Sequence, residues 1–126
     1  MTYLLDVSTL IALLWELHVH NERVTRWQRE AKLAICPLTE LGFLRISTQP
    51  SFGATVGEAR RMLRDWKRAQ QPEFVACDLD ALDSDEPPTG TLTMDYYLAS
   101  LAAKHGMRLA TLDEGIGHEA VFVIPE

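Results

Sequence analysis

Four carboxylates, Asp6, Glu40, Asp95 and Asp113, are spaced so that an alternating α/β chain would gather them at one edge. Asp6 closes the apolar run Tyr3-Leu4-Leu5, and Asp113 follows the run Met107-Arg108-Leu109-Ala110. Glu40 and Asp95 fall in the first turns of helical patterns that open at Pro37 and near Thr93. In a parallel sheet the ends of strands and the starts of the following helices share one edge, where such folds place their sites. Carboxylates crowded there repel one another unless they are protonated or bridged by cations. An all-oxygen donor set suits hard divalent ions, Mg²⁺ or Mn²⁺ above all. The chemistry this points to is phosphodiester hydrolysis. A divalent ion lowers the pKa of a water it binds, so no catalytic histidine is required. Attack by water predicts products with 5′-phosphate and 3′-hydroxyl ends.

The elements that must position these acids can be read from periodicity. Short apolar runs at Tyr3–Asp6, Leu33–Cys36, Phe74–Cys77, Met107–Thr111 and Val121–Ile124 read as strands. Their lack of polar alternation suits strands covered on both faces. Between them lie helical patterns. One follows Ser8, a candidate N-cap, as far as Leu17, and a more polar one covers His18 to Lys32. A third starts at Pro37, suited to the first helical position, and ends near Ser47. A fourth runs from Val56 to Gln70, and a last from Thr93 to Lys104, with Gly106 able to take the left-handed position beyond it. The pattern predicts an α/β fold: a central parallel sheet of four to five strands with helices on both faces. Residues 1–126 read as a single domain, with no repeat, linker or low-complexity tract.

Each acid also has a plainer role. Asp6 can cap the helix that follows it, Glu40 and Asp95 can sit at the positive ends of helix dipoles, and Asp113 can form an Asx turn before Gly115. It is their convergence on one edge that carries the argument. The chain holds 18 acidic and 12 basic residues, a net charge of −6. That balance disfavours a generic nucleic-acid-coating protein but not an enzyme that binds phosphates through metals. No apolar stretch is long enough to span a bilayer and the chain opens with no basic leader, so it reads as cytoplasmic. Cys36 and Cys77 each end an apolar run and read as reduced core thiols.

The segments Leu5-Asp6-Val7-Ser8, Pro37-Leu38-Thr39-Glu40-Leu41, Thr93-Met94-Asp95-Tyr96-Tyr97-Leu98-Ala99 and Leu109-Ala110-Thr111-Leu112-Asp113 together resemble those of PIN-domain ribonucleases, and of VapC-type toxins of bacterial toxin–antitoxin pairs in particular. The similarity spans nearly the whole chain and includes Leu38–Ser47. It implies Mg²⁺- or Mn²⁺-dependent cleavage of RNA, a homodimer, and a small VapB-type antitoxin as neutralising partner. On this resemblance Asp6, Glu40, Asp95 and Asp113 are the catalytic residues, with Asp6, Asp95 and Asp113 holding metal, and Ser8 and Thr111 are supporting hydroxyls. A departure is Glu114, where family members often carry a basic residue after the last acid.

Other patterns carry less. Arg60, Arg64 and Arg68 recur every fourth residue, with Arg61 and Lys67 beside them. Such a stripe can position phosphates, or it can be a solvated face relieved by Glu58 and Asp65. His18 and His20 read as a solvent-facing pair, and the Asp78–Asp83 acids fail a calcium loop because the sixth position is Asp83 rather than glycine. Trp15 and Phe43 are candidate apolar anchors for a partner segment. The alternatives to a nuclease are a receiver-like phosphoacceptor module, with Asp78 after the third strand as the acceptor, and a catalytically inactive PIN-like binding protein. The receiver pattern lacks its acidic pair after the first strand and its lysine after the fourth.

Overall fold

The computed structural model describes all residues from Met1 to Glu126. Five strands, β1 (Thr2–Leu5), β2 (Lys32–Ile35), β3 (Glu73–Phe74), β4 (Arg108–Thr111) and β5 (Val121–Val123), form one sheet in the order β3-β2-β1-β4-β5. Every neighbouring pair is parallel. The helices are α1 (Val7–Leu14), α2 (Asn21–Gln28), α3 (Pro37–Ser47), α4 (Val56–Gln70) and α5 (Thr93–Lys104). Two short 3-10 turns, Ala81–Asp83 and Gly90–Leu92, interrupt the long connection into α5.

Adjacent strand residues point to opposite faces, so each strand feeds two cores. Leu4, Ala34 and Leu109 pack under α5 with Leu98, Leu101 and Ala102, whereas Leu5, Ile35 and Ala110 pack with Leu10, Phe43 and Leu63 of the other layer. Four helices cover one face and α5 the other. This is why the strands read as continuous apolar runs. The strand order excludes the receiver alternative, whose doubly wound sheet runs 2-1-3-4-5. Asp78, its would-be acceptor, is instead tied to His105 at 2.8 Å and to Lys104 at 3.6 Å.

Several expectations are corrected. β3 stops at Phe74 rather than continuing to Cys77, because the edge strand only pairs with Ala34 and Ile35 of β2. Cys77 is consequently exposed, and only Cys36 is a buried thiol. The N-cap of α1 is Asp6 rather than Ser8, and the helix ends at Leu14 rather than Leu17, which is fully exposed. Phe43 is fully buried and unavailable as a docking anchor. The acidic 78–85 segment is a solvent-exposed loop whose Asp78 and Asp85 also bond His105 at 2.8 Å and His118 at 2.7 Å.

Candidate functional site

The strand order reverses direction at the β1/β4 pair. The chain leaves β1 towards β2 on one side and leaves β4 towards β5 on the other, opening a crevice at the carboxyl edge between them. Asp6 lies at the end of β1, and Asp113 two residues beyond β4. Helix α5 returns to the sheet antiparallel to β4, so its first turn, which holds Asp95, starts at the same edge.

Asp6 is 4% exposed and doubles as the helix cap. Its Oδ1 accepts from the Thr9 N–H at 2.8 Å and from the Ser8 hydroxyl at 3.0 Å. Thr9 Oγ1 in turn donates to the Ala110 carbonyl at 3.1 Å, tying the cap to β4. The Thr111 hydroxyl accepts from the Asp113 N–H at 3.0 Å. Burial raises the Asp6 pKa above the ordinary carboxylate value, opposed by hydrogen bonds from Thr111, Thr9 and Ser8. The Asp95 pKa is raised as well, first by desolvation and then by the negative charges of Asp6 and Asp113. Three of the four expected acids therefore share one electrostatic field, and none of the three is ion-paired with a lysine or arginine.

The fourth acid is placed otherwise. Glu40 stands in the first turn of α3, whose start is fixed by the Thr39 hydroxyl donating to the Leu5 carbonyl at 2.8 Å. Its carboxylate is held by the Lys67 ammonium from α4. Asp113 Oδ1 accepts from the Gly115 N–H at 2.7 Å, so the Asx turn and the site position coexist. Its neighbour Glu114 is exposed. The hydroxyls of Ser8 and Thr111 sit where the sequence places supporting groups, against Asp6 and Asp113.

The donors fit a hard divalent ion by type and by charge, since hydroxyls and carboxylates are all they offer and the negative field is uncompensated. As the side chains stand, no three Asp, Glu, His or Cys groups converge on one ion position. The acids share a field without sharing a coordination sphere.

Sequence reasoning missed two positioning hydroxyls. Thr9 and Thr39 are buried positioning hydroxyls whose partners are carbonyls of other elements, a relation with no local signal. His18 and His20 do not simply face solvent. They border a cleft of about 430 Å³ with Ser8, Ile11 and Asp113, and burial together with His20 lowers the His18 pKa.

The PIN-domain family model matches residues 3–120. Among curated proteins, ribonuclease VapC38 of Mycobacterium tuberculosis is 38% identical over 121 residues, covering 90% of this chain and 86% of the relative. Ribonuclease VapC44 of the same organism is 35% identical over 131 residues, covering 96% and 92%. The fold is also that of two solved structures: VapBC2 from Rickettsia felis bound to a promoter DNA fragment, and FitAB bound to an IR36 DNA fragment. The first aligns with a TM-score of 0.64 at 12% identity over 98% of this chain and 97% of that one. The second gives 0.67 at 21% identity over 98% and 93%.

Proposed function

The chain belongs to the PIN-domain family, and from that premise we propose that it is a metal-dependent endoribonuclease toxin neutralised by a VapB-type antitoxin. Relatives that bear the name ribonuclease VapC over nearly their whole length support the substrate class. The observation that carries the chemistry is that Asp95 feels the negative charges of Asp6 and Asp113, and that no lysine or arginine is ion-paired with any of the three. A buried carboxylate beside two others is costly to keep charged, and such an arrangement marks functional sites.

Asp6, Asp95 and Asp113 are the residues that would hold Mg²⁺ or Mn²⁺. When bound, such an ion supplies a nucleophilic water near neutral pH and neutralises charge at the scissile phosphate. The protein does the rest. Ser8 and Thr9 lock Asp6 Oδ1, so its other oxygen is presented in one orientation. Thr111 fixes the backbone of Asp113 and with it the turn into the crevice. Glu40 is the fourth acid of the proposal, and its carboxylate is held by the Lys67 ammonium. The same reading puts the chain in the cytoplasm with its RNA, as a homodimer. No helix is long and apolar enough to cross a membrane.

The test is RNA hydrolysis by the purified chain. Cleavage should vanish in EDTA, return with Mn²⁺ or Mg²⁺, and leave 5′-phosphate ends on the products. Metal-independent cleavage, or 2′,3′-cyclic ends, would overturn the mechanism. An inactive PIN-like binding protein would bind RNA under the same conditions and leave it intact.

A further inference from the structure

We propose that the groove between α3 and α4 is the track on which the RNA strand lies as it approaches the acidic edge, with Arg60, Arg64 and Arg68 holding its phosphates and Phe74 receiving a base. This rests on the endoribonuclease reading above and names how the substrate is held.

The groove encloses about 580 Å³. Its α4 wall presents Arg60, Arg64, Lys67 and Arg68, and its α3 wall presents Leu41 and Leu44, with Glu40 the lone acid. Residues four apart on a helix lie on one face, about 6 Å apart along the axis. The three arginines thus set one cation per turn along the groove. None of them forms an ion pair, and Lys67 already satisfies Glu40. Glu58 and Asp65 form no ion pair with these three exposed arginines, although Glu58 feels the charge of the neighbouring Arg61. Glu58 is engaged in a capping box with Thr55, and Asp65 lines a different cleft together with Arg61, Trp15 and Phe52. In a chain of net charge −6, an unopposed row of three arginines is a concentrated exception, suited to a polymer that carries one negative charge per repeat.

The groove also leads to the right place. Its Glu40 end is the start of α3, which Thr39 anchors to the Leu5 carbonyl beside Asp6. Close by, Phe74 ends the edge strand, 58% exposed, with the Lys67 ammonium 5.9 Å from its ring centre. A cationic track flanked by an exposed aromatic is how proteins bind single strands with little sequence preference. Leu41, 61% exposed, adds apolar surface on the opposite wall. An acidic protein segment could neutralise the arginines too, but the aromatic beside the cations favours nucleobases. A phosphate arriving at Lys67 also competes for the ammonium that holds Glu40, which couples substrate arrival to release of the fourth acid.

The experiment uses the cleavage-silenced Asp6→Asn chain in EDTA and a fluorescein-labelled single-stranded RNA, with anisotropy read across a salt series. Adding Arg60→Ala, Arg64→Ala and Arg68→Ala together should weaken binding at least about tenfold. It should also flatten the salt slope by about 2, since each lost phosphate contact removes about 0.7 for single strands. Phe74→Ala should weaken binding about fivefold or more through lost stacking and leave the slope unchanged. The matched control Arg26→Ala, Arg29→Ala and Lys32→Ala removes equal charge from α2 and the amino edge and should stay within about twofold. Arg64→Glu alone gives a second route should the triple variant melt early. A groove triple with the parent's slope, or a control that loses as much, overturns the proposal. So does a triple that keeps RNA binding but escapes its antitoxin, which would assign the groove to a protein partner. A wild-type chain that cleaves no RNA in Mn²⁺ would instead fail the endoribonuclease reading, while the groove is read in a chain that needs neither metal nor cleavage.

Discussion

Asp6 carries two duties that its substitutions can separate. It caps α1 through the Thr9 N–H, and it bears a buried negative charge beside Asp95 and Asp113. Asparagine keeps a cap oxygen and removes the charge, whereas alanine removes both. Asp6→Ala should therefore unfold more easily than Asp6→Asn by about 1 kcal/mol, the usual worth of such a cap. Both should lose at least about 100-fold in RNA cleavage, since even residues that merely orient metal ligands cost up to that much. Equal cleavage by Asp6→Asn and wild type would remove Asp6 from the site. The raised pKa values of Asp6 and Asp95 add a pH signature. A carboxyl whose folded pKa exceeds its unfolded value adds stability that is fully present below the unfolded pKa, near 4, and is lost as pH rises through the folded pKa. Asp78, lowered chiefly by His105, and Glu58, lowered chiefly by the Thr55 N–H, run the other way, but both are exposed and unchanged between the two chains compared. In EDTA, wild type and Asp6→Asn should melt together near pH 4, and Asp6→Asn should melt higher at pH 7. Thermal melts that diverge in the opposite sense would show that Asp6 is not destabilised by its charge. Mn²⁺ at neutral pH should then raise the wild-type melting temperature more than that of the variant.

Where α1 meets α3, the two helices that begin beside Asp6 and at Pro37 approach closely at Gly42. A Cβ placed on Gly42 would stand 2.5 Å from Val7 Cγ2 and 3.1 Å from Cγ1. An exposed helical Gly→Ala change normally stabilises by about 0.5–1 kcal/mol. Here overpacking should reverse the sign, so Gly42→Ala should destabilise by about 1–3 kcal/mol. Because Val7 supplies the clash, adding Val7→Ala should recover much of that loss, a coupling readable in a double-mutant cycle of urea midpoints. Additive losses would mean that the helices separate without strain. How far such elements were legible follows from where their signals lie. Helices α3 and α4 match their expected bounds because Pro37 at the first helical position and Pro72, two residues past Gln70, are local signals. The edge strand is shorter than the apolar run Phe74–Cys77 because its length is set by how much of β2 it can pair with. The cap of α1 is ambiguous in the sequence because β1 runs into α1 without a linker, leaving Asp6 and Ser8 both chemically able to cap. Pairings across elements, such as Thr39 to Leu5, leave no trace in local pattern.

At the scale of the molecule, the sequence located the acids on one edge but not the division of labour among them. Asp6, Asp95 and Asp113 share a crevice, while Glu40 turns to Lys67 across the α3–α4 interface. Which carboxylate meets which cation depends on helix packing, and Lys67 lies 27 residues from Glu40 in the chain. The same limit applies to partner surfaces. Phe43 was a reasonable apolar anchor by type, yet it fills the core, and Trp15 is half-buried with its indole N–H donated to Ser47 Oγ at 3.0 Å. What remains open beside the acids is the cleft bordered by Ile11, Ile46, Leu112 and the two histidines, which ends at Asp113 and Ser8. An antitoxin segment that seats apolar side chains there could extend an arginine into the crevice, where a guanidinium pairs with carboxylates in place of a metal. Ile46→Glu or Leu112→Glu would put a charge on that seat without touching the acids. Expression of the chain alone should then arrest bacterial growth, co-expression of the cognate antitoxin should restore it, and Asp6→Asn should be harmless with no partner present. Chains carrying Ile46→Glu or Leu112→Glu, where they still fold and cleave, should arrest growth even with the antitoxin present. Full rescue of both would move the antitoxin to another face, and growth arrest by Asp6→Asn equal to wild type would mean that the toxicity does not come from this site.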